Sequence, residues 1–368
     1  MAGIIKADPN DLNLPIKDRI LHTIIDGPID ADKLDYLVRD SSNLNVPFGQ
    51  AIDFQRLLTV IYKEQERKLY VSLSIHEKGK VPAETVAFAR YAMFGTVYWH
   101  HASRAAKAML HRAAWEGLPE RVQRANYRAH CEDLIEFVLH GNRSTKQGEL
   151  YKGKIVFSEH SQLLPPDREM IEWIADRTSE QGRLLLKMLA ERDLFRRILV
   201  ISKPKSQRLW ELLGKFRDRA GAEGMIALQD EVQRRAVNFL RTPDKQAMPY
   251  PDSSAIGSEA IDRLISAQEE GAVLILVDIP TERSGSKTPL EYLPEADRRD
   301  MLQEWKLPSI LEDSIVWKTL HDSFLESVGK TRVFCHPQFR ETFEAGIQKK
   351  DLEQCVEGAL KSLRFPQT

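Results

Sequence analysis

The sequence has few cysteines, no long apolar run and no signal-peptide pattern, and each of these absences excludes a class of protein. Its three cysteines, Cys131, Cys335 and Cys355, lie far apart and include no Cys-x-x-Cys pair. That distribution argues against a disulfide framework or a zinc knuckle and fits a reducing compartment. No stretch approaches the ~20 consecutive apolar residues of a transmembrane helix, and residues 1–13 carry acids and a proline where a signal peptide is apolar. We therefore expect a cytoplasmic protein with no membrane partner.

The charge is nearly balanced, which removes the usual reason to expect a nucleic-acid partner. Lys and Arg number 53 and Asp and Glu number 54, for a formal net charge of −1. Basic clusters at 192–197 and 234–241 lie within amphipathic patterns and are interpreted first as helix faces. Aromatic residues do not alternate with these clusters as they do in proteins that bind single strands. We therefore do not expect nucleic acid as a partner.

The apolar pattern predicts a mainly α fold with a smaller α+β C-terminal region. The chain has 368 residues, of which 42% are hydrophobic and 29% charged, and this suffices for two or three globular domains. Residues 82–112 and 315–328 have helical spacing, and residues 53–63 are interpreted as a short helix or turn. Strands are predicted at 69–75, 194–202, 272–279 and 332–335.

Two polar stretches predict the domain boundaries. Residues 141–152 are polar with glycines, and residues 242–257 are rich in Pro, Asp and Ser. The predicted domains are therefore 1–140, a helical region at 141–245 and an α+β region at 246–368.

Residues 29–40 separate into two stripes when they are placed on a helix. The apolar stripe consists of Leu34, Leu37 and Val38. The opposite stripe consists of Asp32, Tyr36 and Asp40 at i, i+4 and i+8, with Lys33 beside them. One interpretation is a solvated face with ion pairs, which charge runs usually form. The other is a face that presents carboxylates to a ligand.

Residues 29–40 (IDADKLDYLVRD), 46–49 (VPFG) and 52–57 (IDFQRL) resemble the segment after the metal site in HD-domain dNTP triphosphohydrolases. The family pattern is roughly IDxDxxDYxxRD, then a Gly and DxxRL, and every fixed position is filled. Residues 89–94 and 97–101 resemble the helix that follows in bacterial members, the dGTPase-like branch related to SAM-and-HD-domain proteins. The resemblance is strong over residues 20–115 and weaker towards the C-terminus. It implies that residues 1–140 are the C-terminal part of an HD-domain helical core.

The resemblance also implies a reaction, dNTP plus water to deoxynucleoside plus triphosphate, and roles for particular residues. Asp32 would be the catalytic carboxylate that completes the first shell of a divalent metal, Mn or Mg or alternatively Fe or Zn. Lys33 would contact the triphosphate, Tyr36 would pack on the sugar, and Asp40 would accept from the 3′-hydroxyl. One of His100 and His101 would contact the substrate. Arg104 is a guess for the phosphate contact, because Val97 stands near the place where relatives have an arginine.

Each of these residues also has an ordinary structural interpretation. Asp32 would pair with Lys33 or a nearby arginine, and Tyr36 would be a half-buried helix tyrosine. Either histidine, taken alone, is more often a packing residue.

The sequence departs from the family at the metal site. In relatives two histidines and a His-Asp pair precede this segment, whereas only 28 residues precede Ile29 here, and His22 is their one histidine. His321-Asp322 lies far downstream in a helical pattern and is interpreted as a chance dipeptide. We therefore expect an incomplete metal site in a fragment, a mis-started reading frame or a split subunit whose partner chain carries the missing half, and little activity of this chain alone. The alternative is a non-catalytic nucleotide-binding or oligomerising regulatory protein, and in both cases a homo-oligomer is expected.

Overall fold

The computed structural model describes residues 15–57, 59–65, 68–117, 165–241, 258–281, 291–293, 310 and 314–363. The chain divides into two compact units. The first unit is Met1–His100 with Thr281–Gly329, and the second is His101–Pro280 with Lys330–Thr368. The described part is mainly helical with a smaller α+β portion, as the sequence predicts. Both predicted linkers, 141–152 and 242–257, lie outside the described residues, so the three-domain division remains a prediction.

The described helices and strands are named in chain order. The helices are α1 Ile16–Asp26, α2 Ala31–Asn43, α3 Phe54–Leu57, α4 Lys80–Met93, α5 His101–Glu116, α6 Pro165–Ala175, α7 Glu180–Ala190, α8 Lys203–Arg241, α9 Ser258–Glu269, α10 Ile315–Asp322, α11 Phe324–Val328, α12 Arg340–Gly346 and α13 Lys349–Ser362. The strands are β1 Thr59–Gln65, β2 Lys68–His76, β3 Arg196–Ile201, β4 Ile275–Asp278, β5 Glu291–Leu293 and β6 Thr331–Cys335. Short 3-10 turns cover Glu77–Gly79 and Pro337–Phe339, and a π-helix covers Phe94–Tyr98.

The first unit packs α1 and α4 beside a small sheet of order β1-β2-β5, and α2 packs on α4. β1 and β2 are antiparallel, with Thr59 opposite Ser74, and β2 and β5 are parallel. The prediction of a helix or turn over 53–63 is right only for α3. Residues 59–63 belong instead to β1, because the β-branched residues that open this strand favour pairing with the next strand.

A single helix over 82–112 is wrong in the middle. α4 ends at Met93 and a π-helix follows, in which the Trp99 amide donates to the Phe94 carbonyl at 3.0 Å, five residues back. Helical structure resumes at His101. A π-turn adds a residue to the turn and changes the direction in which the following side chains point. The affected side chains are those of the candidate site below.

The second unit is built on the antiparallel sheet β3-β6-β4. The residue ranges of its strands agree closely with three of the four strands predicted from the sequence. One face of this sheet, including Leu276 and Phe334, packs on α5, α6 and α7. The other face, including Val277 and Val333, packs on α8 and α13. α8 is kinked at Gly221, whose φ of +60° is a backbone conformation that favours glycine. Among the described helices, none is long and apolar enough to cross a membrane.

Candidate functional site

The polar stripe predicted from the sequence lies on α2, and the start of this helix is fixed by Asp30. The Asp30 side chain caps the helix by accepting from the Lys33 amide at 2.7 Å. Its other carboxylate oxygen accepts from the Lys33 ammonium, which also donates to the Gly27 carbonyl at 3.0 Å. Lys33 is therefore held in a half-buried ion pair, and a contact with a triphosphate would require this pair to open.

The opposite side of α2 is locked into the core of the first unit. Leu37 is fully buried, and the Ser41 hydroxyl donates to the Leu37 carbonyl at 2.5 Å. The Gly49 amide donates to the same hydroxyl at 2.9 Å. A Cβ at Gly49 would lie 2.1 Å from the Leu37 carbonyl oxygen, so the loop after α2 approaches the helix more closely than a larger residue permits. This contact gives a physical reason for the glycine in the sequence pattern.

Gly49→Ala is expected to lower the free energy of unfolding by about 1–3 kcal/mol, because the new methyl group overlaps the backbone of α2 and the buried loop must move. Urea titration monitored by circular dichroism measures the change. Gly214→Ala is the matched control, since nothing lies within 4 Å of the Cβ that it would add on α8. A Gly49→Ala protein as stable as the wild type would show that the loop is not tightly packed on α2.

The exposed side of α2 carries Asp32, Tyr36 and Asp40, and Tyr98 of the π-helix joins them. The Tyr98 hydroxyl donates to Asp40 Oδ2 at 2.8 Å. The Tyr98 ring packs edge-on against Tyr36, with ring centroids 5.7 Å apart. Asp32 is exposed, whereas the other three side chains are half-buried. The face therefore combines two aromatic rings with two carboxylates, one fixed by a hydrogen bond and one open to solvent.

The pKa of Tyr36 is influenced by a nearby cation, Arg90. Burial raises the pKa of Tyr36, the nearby charges of Asp30 and Asp32 raise it further, and the charge of Arg90 together with its hydrogen bond acts in the opposite direction. Burial also raises the pKa of Tyr98, and its hydrogen bond to Asp40 adds to the effect. Both phenols therefore remain protonated across the physiological range, and Arg90 lies beside the Tyr36 hydroxyl.

The two candidate histidines, His100 and His101, lie on either side of the sequence boundary between the two units. His100 is the last residue of this stretch of the first unit, and His101 is the first of the second unit and of α5. Both side chains are exposed. Which of them contacts a substrate remains a prediction. His22 is buried in α1.

Arg104, the guess for the phosphate contact, is held in a buried ion pair, and its contact with phosphate remains a prediction. It lies on α5 in the second unit and is only 6% exposed. Its Nε donates to Asp278 Oδ2 at 2.7 Å and its Nη2 donates to Asp278 Oδ1. This bidentate ion pair joins α5 to the end of β4 and engages the guanidinium within the second unit.

The described residues do not by themselves fit a divalent metal. No group of three His, Cys, Asp or Glu side chains within the described ranges is arranged to hold one. Among Asp30, Asp32 and Asp40, only Asp32 offers an exposed carboxylate, because that of Asp30 is bound to Lys33 and that of Asp40 to Tyr98. A catalytic metal needs about three protein ligands. Ligation by Asp32 therefore remains a prediction.

Comparison with known proteins finds similarity over parts of the chain. A family model described as an HD associated region matches residues 52–152. The uncharacterized protein MJ1154 of Methanocaldococcus jannaschii is 34% identical over 141 residues, which cover 37% of this chain and 31% of that protein. The uncharacterized protein YwfO of Bacillus subtilis is 33% identical over 94 residues, which cover 26% of this chain and 20% of that protein.

Residues 52–152 are therefore similar to an HD associated region. The chain covers about a third of the length of the first relative and a fifth of the second. Neither name states an activity, so the reaction is a matter for proposal.

Sequence reasoning missed two residues of this site, Tyr98 and Arg90. Both lie inside segments that resemble the family, residues 89–94 and 97–101, but the apolar pattern predicted one uninterrupted helix over 82–112. The signal that was present is the short aromatic run at 94–99 with a glycine inside it, which favours a break in regular helix.

Proposed function

We propose that the exposed face of α2, completed by Tyr98 and Arg90, binds a deoxynucleoside triphosphate. We further propose that the chain belongs to an HD-type phosphohydrolase that converts a dNTP and water into a deoxynucleoside and triphosphate. The observation that supports this most is the hydrogen bond between Tyr98 and Asp40, with the Tyr98 ring against Tyr36. Two residues predicted for sugar recognition are thereby joined in one surface by a third residue, 58 positions away.

The arrangement suits a sugar. Asp40 has one carboxylate oxygen bound to Tyr98, while a carboxylate has about four lone-pair sites, so it can accept a hydroxyl proton as well. The rings of Tyr36 and Tyr98 offer an apolar surface on which the 2′-carbon of a deoxyribose fits better than a hydroxyl. A ribonucleotide would leave its 2′-hydroxyl poorly hydrated against these rings.

The arrangement also offers a cation for the phosphates. Arg90 lies beside Tyr36, and a guanidinium recognises phosphate oxygens through paired hydrogen bonds. Lys33 is the residue that the family resemblance favours for this contact, but its ammonium is held by Asp30. We therefore assign the phosphate contact to Arg90.

Hydrolysis would also need the divalent metal that the resemblance implies. Asp32 would contribute one carboxylate, and the remaining ligands would come from residues outside the described ranges or from a second chain. Since the described residues do not form a metal site, the role proposed for them is substrate binding.

A second candidate function is nucleotide binding without catalysis. It is favoured by the donor set, because no group of three possible metal ligands occurs among the described residues and Asp32 is the one exposed carboxylate of the face formed with Tyr36, Asp40 and Tyr98. Binding and triphosphate release must therefore be measured separately.

The purified chain is expected to bind dNTPs at least about tenfold more tightly than the matching ribonucleotides, because one clash or unpaired hydroxyl costs about 1.4 kcal/mol or more. Isothermal calorimetry with each of the four dNTPs and NTPs measures this ratio, and triphosphate release is assayed in parallel with Mn²⁺.

Asp32→Asn and Asp35→Asn are the matched pair of variants for this experiment. Asp35 has the same charge on the same helix, but it is 59% exposed and pairs with Arg39 at 2.7 Å. Release that is lost only in Asp32→Asn would support the enzyme. Binding without release would support the non-catalytic candidate, and absence of dNTP binding would exclude both.

A further inference from the structure

Phe324 is the central ring of an aromatic cluster that lies beside the α2 face in the first unit. It belongs to α11, more than 200 residues from Arg90 in the sequence, and only 2% of it is exposed. Its ring centroid lies 5.2 Å from that of Phe94 and 5.7 Å from that of Trp99, in both cases edge to face. Tyr91 lies on a further side at 6.5 Å. The ring is therefore held rigidly, because four aromatic side chains fix each other's orientation.

The guanidinium of Arg90 rests on this cluster. Its central carbon lies 4.6 Å from the Phe324 ring centroid and 5.3 Å from the Phe94 ring centroid. Both distances are within the ~6 Å over which a cation is attracted to an aromatic face. Arg90 and Phe94 are also one turn apart on α4 and its π-helical extension, so the contact with Phe94 is local whereas the contact with Phe324 is not.

Arginine has a long side chain, and holding it in one conformation costs rotamer entropy. Two aromatic faces that restrict the guanidinium remove much of that cost before a ligand arrives. The same guanidinium reaches the Tyr36 hydroxyl, which is part of the candidate sugar surface. The chain of contacts thus runs from Phe324 to Arg90 and from Arg90 to Tyr36.

We infer that Phe324 is a positioning residue that holds the Arg90 guanidinium against the Tyr36 side of the α2 face, ready to contact the phosphates of a nucleotide. The inference rests on the proposed function for its consequence, although the positioning itself can be measured without any ligand. It assigns a role in the nucleotide site to α11, a helix in which the sequence showed only an ordinary amphipathic pattern. The His321-Asp322 dipeptide just before it has no part in the argument.

The decisive variant is Phe324→Leu, which keeps an apolar side chain of similar reach and removes the ring face. We expect it to weaken binding of the best-bound dNTP by about 3- to 10-fold, the size of one cation–π contact. The affinity for the corresponding deoxynucleoside, which has no phosphates, should change by less than about twofold. A merely structural role would weaken both ligands together.

Arg90→Lys completes a double-mutant cycle. It retains the charge but lacks the planar group that stacks on a ring. If Phe324 acts through Arg90, the double variant should lose no more affinity than Arg90→Lys alone. Losses that add would overturn the inference, because they would mean that the two side chains act independently.

The ligand-free measurement is the NMR resonance of the Arg90 Nε–Hε group in protein with labelled arginine, assigned by its absence in Arg90→Lys. Phe324→Leu should shift this resonance, because the ring current of Phe324 is lost. Phe343→Leu is the matched control, since Phe343 is a fully buried phenylalanine of the second unit, and it should leave the resonance in place. An unshifted resonance in Phe324→Leu would overturn the inference.

The two proposals fail in different ways. If the wild-type chain binds no dNTP, the proposed function fails, while the resonance still decides whether Phe324 holds Arg90. If the wild type binds dNTPs but Phe324→Leu weakens dNTP and deoxynucleoside equally, only the positioning role fails. Phe324→Met, with a flexible chain of similar volume, replaces the leucine variant if thermal unfolding shows that the latter does not fold.

Discussion

Asp278→Ala is expected to lower the free energy of unfolding of the second unit by about 3–5 kcal/mol, the cost of removing one partner from a buried ion pair. Asp278 and Arg104 are 8% and 6% exposed, and the two groups are joined through both carboxylate oxygens. Arg332 lies opposite Asp278 in the β4–β6 ladder and is 5% exposed. Without the carboxylate, two buried guanidiniums would remain close together.

The charges around Asp278 show how closely these groups interact. The pKa of Arg332 is lowered to about 10, because burial and the charges of Arg104 and Arg197 outweigh the opposing charge of Asp278. The carboxylate therefore stabilises two cations. Chemical denaturation followed by tryptophan fluorescence measures the loss.

Asp230→Ala is the matched control for this prediction. Asp230 also pairs with an arginine of α5, Arg112, at 2.6 Å, but its side chain is 56% exposed. Because Asp230 is exposed and Arg112 keeps its ion pair with Glu116 at 2.8 Å, the same substitution should cost only about 0–1 kcal/mol there. Equal effects at Asp278 and Asp230 would contradict the prediction. The combined change Arg104→Met and Asp278→Leu should recover only part of the stability, since apolar replacement of a buried pair is often neutral but Arg332 still loses its nearby carboxylate.

The sequence predicts the first part of the site because local spacing determines it. Asp30 stands immediately before a helical pattern, where an aspartate commonly caps a helix, and its side chain caps α2. The spacing of Asp32, Tyr36 and Asp40 at i, i+4 and i+8 places them along one side of any helix, whatever the surroundings. The strands β3, β4 and β6 also lie at stretches that the sequence predicted as strands; every residue of β4 and β6 is buried, whereas β3 begins with two exposed arginines.

The remainder depends on contacts between distant segments, which spacing does not encode. Tyr98 reaches Asp40 because a π-turn interrupts the helix after Met93, and the hydrogen-bond register of one turn is not visible in an apolar pattern. The contact between Arg104 and Asp278 joins residues 174 positions apart. β1 was interpreted as helix or turn, since its strand character comes from pairing with β2. In each case tertiary structure overrides the local preference.

Asp40→Ala is expected to weaken dNTP binding by about 10- to 100-fold. A hydrogen bond to a charged group contributes about 1.5–3 kcal/mol, and the variant removes the acceptor proposed for the 3′-hydroxyl. It also leaves the Tyr98 hydroxyl without the partner that orients its ring. Calorimetric titration of the wild type and the variant with the same dNTP measures the ratio.

Two further variants separate these contributions. Tyr98→Phe removes the hydroxyl but keeps the ring against Tyr36 and leaves Asp40 in place to accept from the ligand, so it should cost only about 3- to 5-fold. Asp35→Ala removes a carboxylate from the same helix at the edge of the face, where the pair with Arg39 is exposed, and should leave the affinity unchanged. A loss of similar size in Asp35→Ala would mean that the net charge of α2 matters and that the geometry at Asp40 does not.

The sharpest test changes the ligand together with the protein. A 2′,3′-dideoxynucleotide has no 3′-hydroxyl, so the wild type should bind it more weakly than the dNTP by about the same 10- to 100-fold factor. Asp40→Ala should then bind both nucleotides with nearly equal affinity, because the variant has no carboxylate to accept a hydrogen bond from the 3′-hydroxyl. If the variant still prefers the dNTP by the full wild-type factor, the 3′-hydroxyl is recognised elsewhere, and Asp40 serves only to hold Tyr98 in place.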